Sequence, residues 1–261
     1  MNLTASPLLE ISNLTKSFGG VLAVNDCSMT IKEGSIVGLI GPNGAGKSSV
    51  IDLVSGFEQP DSGSIRFDGH EIMGKRQDVI SRLGMIRTFQ TPREWKDLSV
   101  IDNVRVAYSN LEREKLWNSL LYAGRFRRQD EAENEEIREL MRQYRLDEIR
   151  NDRAVGLSGG QKRLLEFARI SAAKPRLTIL DEPMGGVNPV LGERIGRAIL
   201  DLKAAGSTVI VVEHNLPFIE KTCDEVVVMD LGSVIAQGSF SGLRDNKRVV
   251  DAYLGGEDEH A

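Results

Sequence analysis

The octapeptide GPNGAGKS, residues 41–48, constrains the fold more than any other stretch of this chain. It follows the apolar run SIVGLI and precedes SSVIDLVSGF, which we expect to be helical from Lys47 onward. A buried strand, a glycine-rich loop and a helix in this order place several backbone N–H groups around an anion. Gly41, Gly44 and Gly46 let the backbone close round phosphate groups. The stretch therefore predicts a nucleotide phosphate site in an α/β fold.

Two side chains of this loop have distinct expected roles. Lys47 reaches the β and γ phosphates, and the Ser48 hydroxyl is offered to Mg²⁺. We expect the rest of the loop and the start of its helix to contact the nucleotide as well, namely Pro42, Asn43, Ala45 and Ser49.

The segment LTILDEP, residues 177–183, supplies the acidic partners of that loop. An apolar strand delivers Asp181 at its carboxyl end, where open α/β sheets bind their ligands. We expect Asp181 to serve Mg²⁺ and Glu182 to orient or deprotonate an attacking water. His214 follows the strand STVIVV at the same edge of the sheet. The phosphate loop and the acidic pair together indicate a nucleoside triphosphate hydrolase.

A second glycine-rich site occurs in LSGGQ, residues 157–161, before a predicted long helix. Ser158 and the amides of Gly159 and Gly160 could bind a γ-phosphate at the helix N-terminus. If this site is held away from Lys47, one molecule cannot use both sites on one nucleotide. Two copies arranged head to tail could do so, each closing the site of the other.

The hydrophobic pattern divides the chain into a body and an insertion. Short strands are expected in LLEISNL, CSMTI and PDSGSIRFDGHEI, and buried strands in RLTIL, STVIVV and DEVVVMD. Helices are expected in PVLGERIGRAILDLKAA and NLPFIEKTC. Residues from about 75 to 172 are expected to be mostly helical, and NEEIRELMRQYRL has one apolar face, formed by Ile137, Leu140, Met141 and Tyr144. The pattern therefore predicts a body built on a parallel sheet, interrupted by a helical insertion.

The overall composition excludes several classes of protein. A net charge of −5 and a pI of about 5.4, without a basic block, argue against nucleic acid as a partner. No apolar run approaches the roughly 20 residues that cross a bilayer, and the N-terminal residues do not have the pattern of a signal peptide. Cys27 and Cys223 are too few for a disulfide scaffold, so we expect two reduced, buried thiols.

Three further motifs complete a pattern. Phe18 in TKSFGG, Gln90 in RTFQTP and His214 in VVEHN join the phosphate loop, LSGGQ and LTILDE in one order along the chain. In this order the chain resembles the ATP-binding subunit of ABC transporters over essentially its whole length. The resemblance implies a P-loop ABC ATPase fold with a mainly parallel core sheet, an antiparallel β subdomain and an inserted α-helical subdomain. It implies one ABC ATPase domain over residues 1–261, with the body at about 1–88 and 175–250, the helical subdomain at about 95–172 and a disordered acidic tail at 255–261.

The resemblance also implies roles for single residues. Phe18 stacks on adenine, although a loop aromatic often merely packs, Gln90 contacts Mg²⁺ and the attacking water, and His214 contacts the γ-phosphate. Ser158, Gly159, Gly160 and Gln161 engage the ATP of the opposite subunit. The resemblance thus implies three catalytic residues, Glu182, His214 and Gln90, and three residues that serve Mg²⁺, Ser48, Gln90 and Asp181. One departure is Asn188 in GGVNP, where the family usually has Asp, and it affects the expected coupling between subunits.

Within the family the chain is most similar to the ATPases of importers for branched-chain amino acids and related amides or urea. The stretches SFGGVLAVNDCSMTI, RTFQTPREWKDLSVIDNV and VVDAYLGG carry this likeness. It implies a peripheral protein on the cytoplasmic side of the membrane, paired head to tail with a second ATPase subunit, either identical or homologous. It also implies permease subunits as partners and, indirectly, a periplasmic or extracellular solute-binding protein.

The surface toward the permease has two candidates. Trp95 in QTPREWKDL, residues 90–98, is expected to anchor the permease or, alternatively, to pack between the two subdomains. Residues 111–128 are apolar, aromatic and basic, so they either abut the membrane subunit and anionic lipid or pack within the insertion.

Two other classes share these motifs. An exporter or an envelope-lipid extraction ATPase would carry an equivalent subunit. A soluble ABC ATPase acting on DNA or ribosomes would usually carry a long coiled coil or two cassettes, and this chain has one cassette and no sustained heptads between residues 48 and 157.

Overall fold

The computed structural model describes residues 7–89, 93–108 and 123–254, with backbone alone at 123–130 and 254. These residues fall into two compact units. The first contains the described residues up to 89, then 176–186 and those from 192 onward. The second contains the described residues from 93 to 175, together with 187–191.

Ten strands lie in the first unit as the structure describes it: β1 Pro7–Phe18, β2 Val21–Lys32, β3 Ile36–Ile40, β4 Ser62–Phe67, β5 His70–Glu71, β6 Met85–Arg87, β7 Leu177–Asp181, β8 Thr208–Val212, β9 Glu225–Asp230 and β10 Ser233–Gly238. The helices of the described chain are α1 Lys47–Val54, α2 Gln77–Arg82, α3 Val100–Tyr108, α4 Ala123–Gln143, α5 Gly159–Ala173, α6 Pro189–Ala204, α7 Leu216–Thr222, α8 Phe240–Leu243 and α9 Lys247–Leu254.

The main sheet of the first unit has the strand order β10-β9-β3-β8-β7-β6 within the described residues. All of its neighbouring strands are parallel except the β9–β10 pair. Strands β3, β7 and β8 are buried along their whole length, as their runs of Val, Ile and Leu require in a sheet covered on both faces. The prediction of a mainly parallel core sheet is confirmed.

The second sheet is antiparallel, with the order β2-β1-β4-β5. Strands β1 and β2 are longer than the short segments predicted from the sequence, since each runs for 12 residues. Irregular register near Asn13 interrupts the alternation of apolar residues. Asn13 and Asp26 have positive φ angles of 50° and 49°, and the Asn13 side chain donates to Asp26 Oδ1 at 2.7 Å. Such bulges hide the two-residue period by which strands are recognised.

Two other sequence predictions need correction in the first unit. The helix after the phosphate loop ends at Val54 rather than continuing to Phe57, because Gly56 takes a positive φ of 75° there. The region from about 75, expected to be mostly helical, begins with the short helix α2 and the parallel edge strand β6.

In the second unit α3, α4 and α5 pack against one another. The predicted apolar face of α4 is confirmed, because Ile137, Leu140, Met141 and Tyr144 are all buried. Tyr144 directly follows the helix, and its hydroxyl lies 2.7 Å from Ser171 Oγ of α5. Across the ranges that the structure describes, no helix is both long and apolar enough to span a membrane. The tail at 255–261 lies outside the described residues, as does the segment from 111 to 122.

Candidate nucleotide site

Three neighbouring core strands end in one row at the carboxyl edge of the main sheet. Leu39 of β3 pairs with Val212 of β8, and Val212 pairs with Asp181 of β7. The residues that follow this row are therefore brought together, as parallel strands require. They are the phosphate loop after β3, Glu182 after β7, and Glu213 with His214 after β8.

The phosphate loop adopts a conformation that glycine alone permits at two positions. Gly41 and Gly46 have φ angles of 152° and 91°. A Cβ atom at Gly41 would lie 2.2 Å from the carbonyl oxygen of Met229, and one at Gly46 would lie 2.5 Å from that of Ala23. The backbone is thus packed tightly on one side, while Asn43 and Gly44 are exposed on the other. Helix α1 begins at Lys47, so its unpaired N–H groups face the same loop.

Lys47 lies folded over this loop. Its Nζ donates to the carbonyl oxygens of Gly41 at 2.8 Å and Pro42 at 2.9 Å. Burial lowers the pKa of Lys47, and the carboxylates of Glu182 and Asp181 act in the opposite direction. The strand register places both acids at the same edge of the sheet as the loop, so the loop and the acidic pair belong to one site.

Asp181 is buried, with 6% of its surface exposed, and the last residue of β6 and the residue after it each contact it. Its carboxylate Oδ2 accepts a hydrogen bond from Arg87 Nη2 at 3.2 Å. Its backbone N–H donates to Thr88 Oγ1 at 3.3 Å. A buried carboxylate needs such partners, because desolvation of an isolated charge is costly.

Glu182 has an uncommon backbone conformation for a residue with a side chain. Its φ angle is 47°, and its N–H donates to the carbonyl oxygen of Val212 at 3.0 Å. Non-glycine residues in the left-handed region concentrate at functional sites, because surrounding structure must hold them there. This conformation directs the chain away from the strand at the residue expected to handle the attacking water.

Glu213 supports the loops on both sides of it. The side chain is 1% exposed, and its Oε1 accepts the N–H of Met184 at 2.7 Å. Its Oε2 accepts the N–H groups of His214 at 3.2 Å and Asn215 at 3.4 Å. The His214 side chain itself is 73% exposed. Glu213 thus fixes the backbone at His214 while the imidazole stays accessible at the sheet edge.

The signature LSGGQ begins helix α5 of the second unit. Ser158 is the N-cap, and its Oγ accepts the N–H of Gln161 at 3.3 Å, while Gln161 Oε1 accepts the N–H of Ser158 at 2.9 Å. This reciprocal pair is a capping box. It satisfies two of the four unpaired N–H groups of the first turn, so those of Gly159 and Gly160 stay available for an anion.

Phe18 ends strand β1 with 41% of its surface exposed, and Lys16 Nζ lies 5.2 Å from the ring centroid. The ring is thus accessible for stacking. Gln90 lies outside the described residues, so the structure gives no position for it.

Trp95 is fixed through its backbone by buried Asn103. The amide Oδ1 of Asn103 accepts the N–H of Trp95 at 2.9 Å, and Nδ2 donates to the Trp95 carbonyl oxygen at 3.1 Å. The indole ring is 42% exposed, and the Arg169 guanidinium lies 4.1 Å from the ring centroid. One face of the ring is therefore covered by a cation while the ring retains accessible surface.

Asn188 has a structural use that the sequence comparison did not suggest. Its Oδ1 accepts the N–H of Leu191 at 2.9 Å, three residues into the turn that starts helix α6. Asn and Asp both serve well in this N-cap arrangement. The exchange of Asp for Asn thus retains the helix cap and removes a charge.

The residues present fit a nucleotide with Mg²⁺. The loop offers N–H groups and Lys47 to phosphate oxygens, and Ser48 and Asp181 offer hard oxygen ligands. Among the described residues no group of three or more His, Cys, Asp or Glu could by itself hold a metal ion.

Three residues of the site were not predicted from the sequence: Arg87, Thr88 and Glu213. Glu213 carries a detectable signal, since it is a charged residue directly after the buried strand STVIVV. Arg87 and Thr88 carry none, because their roles depend on β6 lying beside β7.

The strand order, the glycine-rich loop and the carboxylates at the sheet edge define a P-loop nucleoside triphosphatase. Comparison with protein families narrows this class, because the family model described as ABC transporter matches residues 24–185. The chain belongs to the ABC transporter family, as one of its ATP-binding and ATP-hydrolysing subunits.

Three relatives illustrate how far the similarity extends. The probable branched-chain amino acid transport ATP-binding protein LivG of Archaeoglobus fulgidus is 39% identical, covering 96% of each chain. BraF of Pseudomonas aeruginosa, a high-affinity branched-chain amino acid transport ATP-binding protein, is 38% identical over 95% of this chain and 98% of its own. LivG of Escherichia coli K12, of the same description, is 33% identical over 96% and 99%.

Solved structures agree with this family. A nucleotide-free ATP-binding cassette from an ABC transporter has a TM-score of 0.78 and 31% identity, covering 95% of this chain and 99% of that one. The ADP conformation of an ATP-binding cassette has a TM-score of 0.79 and 30% identity, covering 96% and 100%. The predicted α/β fold of a P-loop ABC ATPase is confirmed.

Proposed function

We propose that this chain powers the uptake of branched-chain amino acids, or of related amides or urea, as the ATPase subunit of a membrane importer. The observation that carries the proposal is similarity over almost the whole chain, at 33–39% identity, to three proteins named for branched-chain amino acid transport. Because no residue of the nucleotide site would contact the solute, the substrate follows from this similarity rather than from the site.

Mg²⁺ would be held by the Ser48 hydroxyl, by Asp181 through water and by Gln90. When bound with ATP, the ion neutralises charge on the β and γ phosphate oxygens. Lys47 would exchange its hydrogen bonds to Gly41 and Pro42 for bonds to the same phosphates. This exchange would need only a small movement of the side chain, because Nζ already lies against the loop that would hold the phosphates.

The chemical step would be in-line attack of water on the γ-phosphate. Glu182 would orient this water and accept its proton, and His214 would contact the γ-phosphate. The support of both backbones by Val212 and Glu213 favours fixed positions for these groups. Phe18, with its exposed ring, would stack on adenine.

Two ATPase subunits would meet head to tail. Ser158, Gly159, Gly160 and Gln161 of each would then contact the γ-phosphate of the ATP bound by the other. The N–H groups of Gly159 and Gly160, which have no partner in the described part of the chain, support this role. Binding of ATP would close the pair, and hydrolysis with phosphate release would let it open.

The closing and opening of the pair would be transmitted to the permease by contacts of residues 90–98. Trp95 would anchor that contact, since its backbone is fixed by Asn103 and its ring is exposed. The subunit would therefore lie peripherally on the cytoplasmic side of the membrane, with a periplasmic or extracellular solute-binding protein on the other side.

Affinity purification of the tagged chain from detergent-solubilised membranes tests the proposal, with mass spectrometry of the chains that co-purify. Two permease subunits and a second ATPase are expected. A single membrane species, or lipid-handling partners, would instead indicate an exporter or an extraction complex. Absence of any membrane partner would indicate the soluble class of ABC ATPases.

A further inference from the structure

Arg87 lies at the end of strand β6, buried beneath the nucleotide site, with 9% of its side chain exposed. Its guanidinium contacts two carboxylates. Nη2 donates to Asp181 Oδ2 at 3.2 Å, and Nη1 donates to Asp52 Oδ1 at 2.5 Å. Nη1 also donates to Ser55 Oγ at 3.0 Å. One cation therefore joins the carboxyl end of β7 to the helix that follows the phosphate loop.

This connection joins the elements that carry two of the three proposed Mg²⁺ residues, Ser48 and Asp181. Asp52 lies on α1 and Ser55 directly follows that helix, whose first two residues are Lys47 and Ser48. Asp181 ends the strand that supplies the acidic pair. A shift of Asp181 relative to α1 would thus stretch the contacts of Arg87, so the guanidinium fixes the spacing between the two halves of the proposed metal site.

Two aromatic rings lie beside the guanidinium. The guanidinium carbon lies 5.1 Å from the Phe57 ring centroid and 5.8 Å from that of Phe89, and the two rings pack edge to face. The side chains of Arg87 and Asp181 are each 9% exposed, and a charged pair is stronger where water is largely excluded, provided that its geometry is good. The guanidinium Nε, however, is buried without a hydrogen-bond partner in the described part of the chain. The two terminal nitrogens of the guanidinium thus form hydrogen bonds with the acids, whereas Nε forms none.

The arrangement orients one oxygen of Asp181 and leaves the other free. Oδ2 is held by Arg87, while Oδ1 accepts no hydrogen bond from the residues that the structure describes. Thr88, next to Arg87, holds the backbone of Asp181 through its hydroxyl. Two consecutive residues at the end of β6 thus hold the side chain and the backbone of Asp181, and Oδ1 remains for a ligand.

We propose that Arg87 is a positioning residue for Mg²⁺: it holds the Asp181 carboxylate through Oδ2 at a fixed distance from Ser48, which leaves Oδ1 available to the bound ion or its water. The inference rests on the proposed function of Asp181 in Mg²⁺ binding. Groups that orient metal ligands typically alter metal affinity by about 10- to 100-fold when they are removed. A merely structural ion pair would alter stability and leave the response to Mg²⁺ unchanged.

The test is a Mg²⁺ titration of nucleotide binding by the full chain, using a fluorescent ATP analogue, with its affinity in EDTA measured separately. For Arg87→Met we expect Mg²⁺ affinity to fall about 10- to 100-fold, with affinity in EDTA unchanged because the loop and Lys47 are intact. Arg87→Lys retains a charge but cannot form both pairs in the same geometry, so an intermediate loss is expected. The matched control is Arg176→Met, since Arg176 also pairs with two carboxylates, those of Glu33 and Asp68, elsewhere in the first unit.

The results separate the possible failures. A wild-type response to Mg²⁺ in Arg87→Met, or tighter Mg²⁺ binding, would overturn the inference while leaving the proposed function intact. Loss of nucleotide affinity in EDTA as well as in Mg²⁺ would also overturn it, because the effect would then be on the loop. If wild type itself gains no affinity from Mg²⁺, the proposed function of Asp181 fails and the inference with it. Should Arg87→Met not fold, Arg87→Lys decides the question by the same criterion.

Discussion

Glu213 Oε1 accepts the backbone N–H of Met184 at 2.7 Å, from the carboxyl end of β8 to the loop that follows β7. The two residues lie close together because β7 and β8 are neighbours and Val212 pairs with Asp181. The same carboxylate accepts the N–H groups of His214 and Asn215. One buried acid thus supports the loop after Glu182 and the backbone that carries His214.

This relationship predicts the effect of Glu213→Gln. The amide has one acceptor oxygen in place of two, so at least one buried N–H loses its partner at a cost of about 1–3 kcal/mol in the free energy of unfolding. We expect slower ATP turnover with little change in ATP affinity, because the phosphate loop is untouched. Urea unfolding and steady-state kinetics check both effects. Glu225→Gln, at the amino end of β9, is the control, and equal behaviour of the two variants would contradict the assignment.

Glu182→Gln tests the expected handling of the attacking water. Gln has nearly the same size and must adopt the same φ of 47°, so the loop should be retained. Turnover is expected to fall by about 10²- to 10⁴-fold, as for loss of a general base. ATP should still bind and should trap the closed pair, which size-exclusion chromatography with ATP would detect. Turnover close to that of Glu193→Gln, an exposed control on α6, would exclude Glu182 as the base.

Ser158→Arg tests the action of the signature on the opposite subunit. A bulky cation at the start of α5 should stop hydrolysis by the pair and leave ATP binding to the monomer intact. The variant also loses its N-cap, which costs about 0.5–2 kcal/mol of stability. Ser239→Arg removes an N-cap serine at α8 and controls for that loss. Weakened ATP binding by the isolated monomer, measured by equilibrium dialysis, would refute the proposed role.

The two cysteines predict a dependence on pH. Burial, aided by the charges of Asp26 and Asp224, raises the pKa of Cys27 and Cys223 to about 12 from 9.0. Because the folded chain retains these protons longer than the unfolded chain does, stability should fall as pH rises from 9 toward 12. Below pH 9 the stabilising contribution of the two protonated thiols is fully present.

Unfolding in urea at pH 8 and pH 10 checks this sign, with Cys27→Ala expected to show a shallower decline. At pH 8 the native thiols should also react slowly with iodoacetamide, since the thiolate is the reactive form. Cys27 is buried, whereas Cys223 is partly exposed, so only one of the two thiols expected to be buried is so. Rapid alkylation of both in the folded chain would contradict their raised pKa.

The phosphate loop could be predicted from sequence because all of its determinants are local. The apolar run of β3, the glycines and the start of α1 are contiguous, and each has its own signal. Asp181, Glu182 and His214 could also be predicted as site residues, because they lie at or just after the carboxyl ends of the buried strands β7 and β8. Periodicity likewise predicted the buried face of α4.

Contacts between distant segments could not be predicted in this way. Arg87 and Asp181 are 94 residues apart, and β6 is three residues long, which is too short to show a period. Nothing in MIRTFQ indicates that its arginine lies beneath the acidic pair. The bulges at Asn13 and Asp26 similarly depend on pairing between β1 and β2, which explains why these strands were predicted too short.

The measurement that tests the central claim most directly is transport by the purified complex in proteoliposomes that hold ATP and Mg²⁺ on the side of this subunit. With the solute-binding protein outside, labelled leucine should accumulate inside, and Glu182→Gln should stop both accumulation and ATP turnover. Vigorous ATP turnover without accumulation of leucine, isoleucine, valine, urea or a short amide would contradict the proposed function.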